Sequence, residues 1–441
     1  METTQRRFRI MALGCRTNQY EAQAFIDQLS AMGWVAAAEG ETADLCIVNT
    51  CTVTEGADAS SRALIRQLAR QQPGAQIVVT GCMAESAPDQ LLKIGGVSKV
   101  VGNSQKEQLL QQVLPDEQIP EFAIRQFEAH TRAFVKVQDG CNSFCTYCII
   151  PYVRGRSRSR KPQEVLQEVR SLIANGYQEV VITGINVGDY DGGADPETGG
   201  EPTRLAELVR MVDQEPGLRR LRISSIDPDE VDAELEQAVL GGTVTCPSMH
   251  IVLQSGSNAI LKRMNRKYTR QVFLDTVQRL KAACPDFTVT TDIIVGFPGE
   301  TEEDFQQTCE LVREVQFAKV HMFPYSARPR TRAALYPNRV SADVLARRKA
   351  ELLALAEQTA FALREGFVGR VMEVLTESRE EGSAVIAGHT ANFLPVEIED
   401  PSLLPNQIVR VRLLSNQPHA LKGQLLPSLS TSCSKGTCSC H

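Results

Sequence analysis

Asp139-Gly-Cys-Asn-Ser-Phe-Cys-Thr-Tyr-Cys-Ile-Ile-Pro151 sets Cys141, Cys145 and Cys148 in a Cys-x3-Cys-x2-Cys loop. Three thiolates so spaced can wrap one corner of a cubic iron–sulfur cluster and leave its fourth iron without a protein ligand. An iron left open in this way is a reaction site. A zinc knuckle, a redox pair and buried thiols are the other readings of the same residues. Structural zinc normally takes four ligands, and no cysteine or histidine follows until Cys246, in a segment that reads as strand. The three-cysteine spacing also differs from the Cys-x2-Cys of thioredoxin-like pairs.

The stretches on either side of the loop decide the fold. Strand-like runs at 133–138, 179–183, 219–225, 250–254, 288–295 and 319–325 alternate with helical patterns near 163–175, 203–214, 229–240, 270–283 and 302–315. Six β/α units in succession suggest a barrel or an open curved sheet. The cysteine loop then follows the first strand, on the face where barrel active sites lie. Residues 192–202 are rich in Gly, Asp and Pro and read as a surface loop, and 341–363 read as a long connecting helix.

Upstream, strand patterns at 8–13, 44–49 and 77–80 alternate with helical ones at 20–32 and 57–70, which describes a parallel α/β unit. Cys15, Cys51 and Cys82 each follow one of these strands. Parallel strands deliver their C-terminal ends to one edge of the sheet, so three residues distant in sequence can converge there. Three buried thiols are the alternative. Cys46 lies inside a strand and reads as a small buried hydrophobe. Downstream of Val368, short β-prone runs separated by turn residues fit a small antiparallel barrel.

A chain of 441 residues invites two or three domains. The net charge of -6 argues against indiscriminate binding to nucleic acid, so a polyanion must meet a local basic face. Thirteen cysteines, grouped in short motifs and odd in number, fit metal ligation in a reducing compartment better than a disulfide framework. With no signal-peptide pattern and no apolar run of spanning length, the expected location is the cytoplasm, with no membrane partner.

The cysteine loop, continued as Ile149-Ile-Pro-x-x-Arg-Gly-x-x-Arg-Ser-Arg160, resembles the radical S-adenosylmethionine (SAM) enzymes, specifically their methylthiotransferase branch. The likeness spans nearly the whole chain. It implies an N-terminal methylthiotransferase domain at 1–118, a linker at 119–131, a partial (β/α)6 radical SAM barrel with its connecting helix at 132–363, a TRAM-like RNA-binding barrel at 364–427 and a Cys-rich tail at 428–441. It implies two 4Fe-4S clusters facing one cavity, one on Cys141, Cys145 and Cys148 and an auxiliary one on Cys15, Cys51 and Cys82, with Asn18 and Asn49 beside the latter. SAM would chelate the open iron of the first cluster, and Tyr147, Gly184, Asn186, Ser225 and Gln254 are the expected SAM contacts. Cys433, Cys438, Cys440 and His441 form a tail of soft ligands outside the family pattern.

The family acts either on a ribosomal protein or on an adenosine beside the tRNA anticodon. Basic runs Arg154, Arg156, Arg158, Arg160, Lys161 and Lys262, Arg263, Arg266, Lys267, Arg270 favour RNA, as phosphate contacts on an acidic protein. Leu13-Gly-Cys-Arg-Thr-Asn-Gln-Tyr-Glu21 and Asn49-Thr-Cys-Thr-Val-Thr54 resemble the enzymes acting on N6-threonylcarbamoyladenosine at tRNA position 37. The implied partners are the tRNA anticodon stem-loop and a low-potential electron donor such as flavodoxin or ferredoxin, with the sulfur source undefined. The same chemistry on isopentenyladenosine, or an iron–sulfur RNA-binding protein without turnover, are the alternatives. One departure falls at Tyr325-Ser-Ala-Arg-Pro-Arg-Thr-Arg-Ala333, where Arg330 replaces a glycine common in relatives.

Overall fold

The computed structural model describes residues 5–125, 131–194 and 202–427. Part of the expected linker, part of the loop at 192–202 and the Cys433, Cys438, Cys440 and His441 tail lie outside the described residues. The chain divides into two compact units, Met1–Ala360 and Phe361–His441.

The first unit begins with a five-stranded parallel sheet: β1 (Arg7–Ala12), β2 (Val35–Ala36), β3 (Leu45–Thr50), β4 (Gln76–Gly81) and β5 (Val97–Val100), in the order β2-β1-β3-β4-β5. Every residue of β3 is buried, as a central parallel strand covered on both faces requires. The helix Arg16–Ala31 starts directly after Cys15, and the helix Glu55–Gln71 is capped by the Thr54 hydroxyl, which accepts from the Ala57 amide at 3.1 Å.

A short hairpin and a second parallel sheet follow. The barrel strands are β6 (Arg132–Lys136), with the hairpin strands β7 (Gln138–Asp139) and β8 (Arg158–Ser159) after it, then β9 (Glu179–Thr183), β10 (Arg220–Ile226), β11 (Thr245–Ile251), β12 (Thr288–Val295) and β13 (Lys319–Pro324). Their order β13-β12-β11-β10-β9-β6 is sequential and parallel throughout, and no pairing of β6 with β13 closes it among the described residues. This is the expected partial barrel. The fourth strand begins at Thr245, earlier than its apolar run suggests. Tyr20 and Ala24, from the helix Arg16–Ala31, are buried in the barrel's own hydrophobic core. The N-terminal sheet and the barrel are therefore one compact unit.

The second unit is a closed barrel of β14 (Val371–Arg379), β15 (Val385–Thr390), β16 (Pro395–Glu399), β17 (Ile408–Asn416) and β18 (Leu421–Leu425). Four of its pairings are antiparallel, and β16 with β18 closes it in parallel. Along β17, Val411 and Leu413 point inward while Arg410 and Arg412 are exposed, the alternation of a filled small barrel. No helix among the described residues is long and apolar enough to cross a membrane.

Candidate active site

The C-terminal ends of the barrel strands surround a cavity of about 310 Å³ whose wall includes Cys141, Cys145 and Cys148. The hairpin of β7 and β8 ties the two ends of the cysteine loop, pairing Gln138 with Ser159 and Asp139 with Arg158. The Cys141 amide donates to the Gly155 carbonyl at 3.1 Å. Gly140 has φ +77°, and a Cβ there would sit 2.1 Å from the Arg156 carbonyl oxygen. Only glycine fits that turn. On the far side, Thr146 donates from its amide to the Met264 carbonyl at 2.9 Å and from its hydroxyl to the Arg263 carbonyl at 2.8 Å.

Burial pushes the Cys148 thiol up, with Cys145 beside it adding to the shift, and burial likewise raises Cys141. The ligand is the thiolate, so binding a metal releases protons, and three cysteines on one wall are a donor set for an iron–sulfur cluster. Arg266 donates to Cys145 Sγ at 3.0 Å and is itself paired with Asp227. No three His, Cys, Asp or Glu side chains among the described residues stand close enough to hold a single metal ion. A four-iron cluster takes each thiolate on a different iron and needs no such group.

Tyr147, Asn186, Ser225 and Gln254 also line the cavity. Tyr147 packs edge-on against Phe297, ring centroids 6.4 Å apart. Asn186 donates to Glu230 at 2.9 Å, and burial, helped by Asp227, pushes the Glu230 carboxyl up to about 7. Gln254 stands at φ +64°, and its buried Oε1 has no hydrogen-bond partner among the described residues. A buried acceptor left open on a cavity wall fits a ligand that donates to it. Gly184 does not line the cavity. Its missing side chain admits Gln138, whose Oε1 would meet a Cβ at 2.8 Å and instead accepts from the amides of Ile185 and Asn186.

Cys15, Cys51 and Cys82 meet at the C-terminal edge of β1, β3 and β4. Thr50 pairs with Gly81, so Cys51 and Cys82 leave adjacent strands side by side. The Cys51 thiol lies 2.7 Å from where a Gly14 Cβ would stand, next to Cys15. Burial, together with Cys82 and Cys15, pushes Cys51 up to about 11. Cys15, Cys51 and Cys82 are not themselves among the residues lining the cavity. Cys82 is buried with Ile149 and Val153, and the cavity reaches this edge through Val53 and Thr54.

Between the thiol sets lies a buried ionic cluster. Arg154 donates to Asn18 at 2.6 Å, Glu21 at 3.1 Å and Asp139 at 2.8 Å, and Glu21 also pairs with Lys106 at 2.6 Å and Lys136 at 3.7 Å. Burial opposes the Glu21 charge, yet Arg154, Lys106 and Lys136 hold its carboxyl well below the usual range. Lys136 also pairs with Glu107 at 3.7 Å and Asp139 at 3.6 Å, and within this network it is the Arg154 guanidinium that feels Cys82 and Cys15. Its positive charge complements bound thiolates. Arg328 closes the other flank, donating to Asp58 at 2.5 Å and to Thr52, next to Cys51, at 2.9 Å.

This placement corrects the reading of the basic runs. Arg154 is 3% exposed, Arg160 is paired with Glu168, Arg266 with Asp227, and Arg270 with Glu310 and Glu314. Buried or paired guanidinium groups are not offered to phosphate. Arg156, Arg158, Lys161, Lys262, Arg263 and Lys267 remain exposed. Asn18 and Asn49 do not face the thiols alone: Asn18 donates to the Leu13 and Thr50 carbonyls, and Asn49 to Glu21. The sequence reading gave no role to Glu21, Gln138 or Arg328, and it read Arg266 as a phosphate contact, not as a partner of Cys145 and Asp227. Glu21 and Arg154 lie inside the motifs that carried the resemblance, and only their pairing was out of sight.

Two family profiles match the chain, the radical SAM superfamily over residues 135–312 and the Uncharacterized protein family UPF0004 over residues 7–102. The chain is 46% identical, over 95% of its length and 98% of the relative's, to the threonylcarbamoyladenosine tRNA methylthiotransferase MtaB of Chlamydia pneumoniae. It is 34% identical, over 95% of both chains, to the tRNA-2-methylthio-N(6)-dimethylallyladenosine synthase of Syntrophobacter fumaroxidans. Among solved structures, the radical SAM methyltransferase TsrM of Kitasatospora setae superposes with a TM-score of 0.53 over 80% of this chain and 89% of that one, at 14% identity. That likeness concerns the fold.

Proposed function

This chain belongs to the radical SAM methylthiotransferases, in the threonylcarbamoyladenosine branch, and from that membership we propose its reaction: addition of a methylthio group to C2 of N6-threonylcarbamoyladenosine in tRNA. The family uses SAM and iron–sulfur chemistry. We assign one 4Fe-4S cluster to Cys141, Cys145 and Cys148 and a second to Cys15, Cys51 and Cys82. The target is the nucleoside in the anticodon stem-loop, and the electron donor is a low-potential protein of the flavodoxin or ferredoxin kind.

The observation that carries this reading is the cavity itself, where three thiols share a wall with strand-end polar groups and an unpartnered Gln254 oxygen. Bound there, the cluster and SAM supply hydrogen-atom abstraction and a methyl group. The protein supplies placement. Cys141, Cys145 and Cys148 hold the cluster, and the Arg266 hydrogen bond to Cys145 fixes that thiolate. Asn186, Ser225 and Gln254 offer polar contacts to the cofactor, and Tyr147 offers an apolar wall. Val252, Ile294, Phe323 and Pro324 add apolar lining that limits water near the reacting carbon. Arg154 and Arg328 hold the Cys15, Cys51 and Cys82 loops against the barrel, so that sulfur and substrate are presented to one another in fixed geometry.

The test is nucleoside mass spectrometry after anaerobic reconstitution with SAM, a low-potential donor and separate tRNAs carrying threonylcarbamoyl- or isopentenyl-adenosine. The expected product is the methylthio derivative of the first. A methylthio derivative of isopentenyladenosine alone overturns the substrate, and release of no 5'-deoxyadenosine from SAM overturns the enzyme.

A further inference from the structure

Beside the cavity, Phe144, Tyr152 and Arg156 from the stretch between β7 and β8 form a continuous row with Arg330 from the segment after β13. The Arg156 guanidinium lies 4.4 Å over the Phe144 ring, Phe144 meets Tyr152 edge-on at 6.4 Å and 88°, and the Arg330 guanidinium lies 5.0 Å from the Tyr152 ring centroid. Both rings are 36% exposed. Neither guanidinium has a carboxylate partner among the described residues, unlike Arg154, Arg160 and Arg266. Ser143 and Cys145, on either side of Phe144, line the cavity, as do Ile150, two residues before Tyr152, and Ser326, four before Arg330.

Two members of the row are held in an unusual backbone conformation. Phe144 has φ +49° and Arg330 φ +71°, in the left-handed region that bulky residues avoid at a cost of about 1–2 kcal/mol. The Phe144 turn is kept in place by Asn265, which donates to the Phe144 carbonyl at 3.2 Å. At Arg330 this strained backbone carries the guanidinium that approaches Tyr152.

We propose that Arg156, Phe144, Tyr152 and Arg330 form a stacking platform for the unpaired nucleobases that flank the target adenosine. Aromatic faces and flat guanidinium groups are what single-stranded bases stack on, and cations without acidic partners suit the phosphates between those bases. An acidic peptide would be held by charge alone and would leave the two rings without a role. With Ser143 and Cys145 in the cavity wall, the row is placed to meet the nucleotides on either side of a base inserted there. This inference rests on the tRNA reading above.

The test is a cycle between rings and bases on the reconstituted full chain. Affinity is measured for an anticodon stem-loop RNA containing threonylcarbamoyladenosine and for the same RNA with abasic residues at the two flanking positions. Wild type should bind the intact RNA more tightly by about five- to a hundred-fold per stacked base, and Tyr152→Leu should lose most of that discrimination. Arg330→Gly, whose backbone relieves strain and so is expected to fold, should lose part of it. Equal discrimination by wild type and both variants overturns the platform while leaving tRNA as substrate. Failure of wild type to bind the intact RNA overturns the tRNA reading itself.

Discussion

At the scale of single residues, the least legible parts of the sequence are the ones that hold the site together. Glu21 and Arg154 stand 133 positions apart, and nothing local distinguishes a buried, paired arginine from a surface one in an arginine-rich run. Arg154→Met removes the central cation and leaves Glu21 and Asp139 buried with less compensation. The expected loss is about 3–5 kcal/mol, as for other broken buried pairs, read as a lower urea midpoint for the first unit. Glu300 offers a pH test. Burial pushes its carboxyl up to about 7 although it pairs with Arg348. Because its folded value lies above the ordinary 4.5, its contribution is full below the ordinary value and is lost as pH rises through about 7. Glu300→Gln should therefore flatten the fall in stability between those limits, measured by thermal melts across that range; an unchanged slope contradicts the assignment.

At the scale of elements, the strand ends were readable because parallel strands carry continuous apolar runs and because the six thiols follow them. β2 and β5 escaped because two and four residues give too little pattern, and β18, Leu-Lys-Gly-Gln-Leu, is too polar to announce itself. The glycines at two strand ends separate the roles of the thiol sets. Gly81 has φ +97°, and a Cβ there would lie 2.4 Å from the Thr50 carbonyl oxygen, directly before Cys82. Gly81→Ala should abolish methylthio transfer while reductive SAM cleavage continues. Gly140→Ala, which strains the turn before Cys141, should abolish both. Product analysis for 5'-deoxyadenosine and modified nucleoside from each variant distinguishes the two patterns, and loss of SAM cleavage in a folded Gly81→Ala protein contradicts the division of labour.

At the scale of the whole molecule, the two thiol sets and the two-sheet plan of the first unit could be read from motif order and strand position. Their relation could not. The sequence suggests two clusters looking into one space, and the structure adds that Cys82 is buried with Ile149 and Val153, near the ion pair of Arg154 with Glu21. On that side the cavity is lined by Val53, Thr54, Ile149 and Ile150. The central claim is that two separate clusters occupy these two sets. It is tested most directly by the iron content and Mössbauer spectrum of the anaerobically reconstituted full chain, wild type beside Cys15→Ala/Cys51→Ala/Cys82→Ala. Two four-iron clusters predict about eight irons per chain in wild type and about four in the triple variant, the remainder still responding to SAM. About four irons in wild type, or no loss in the triple variant, would contradict it.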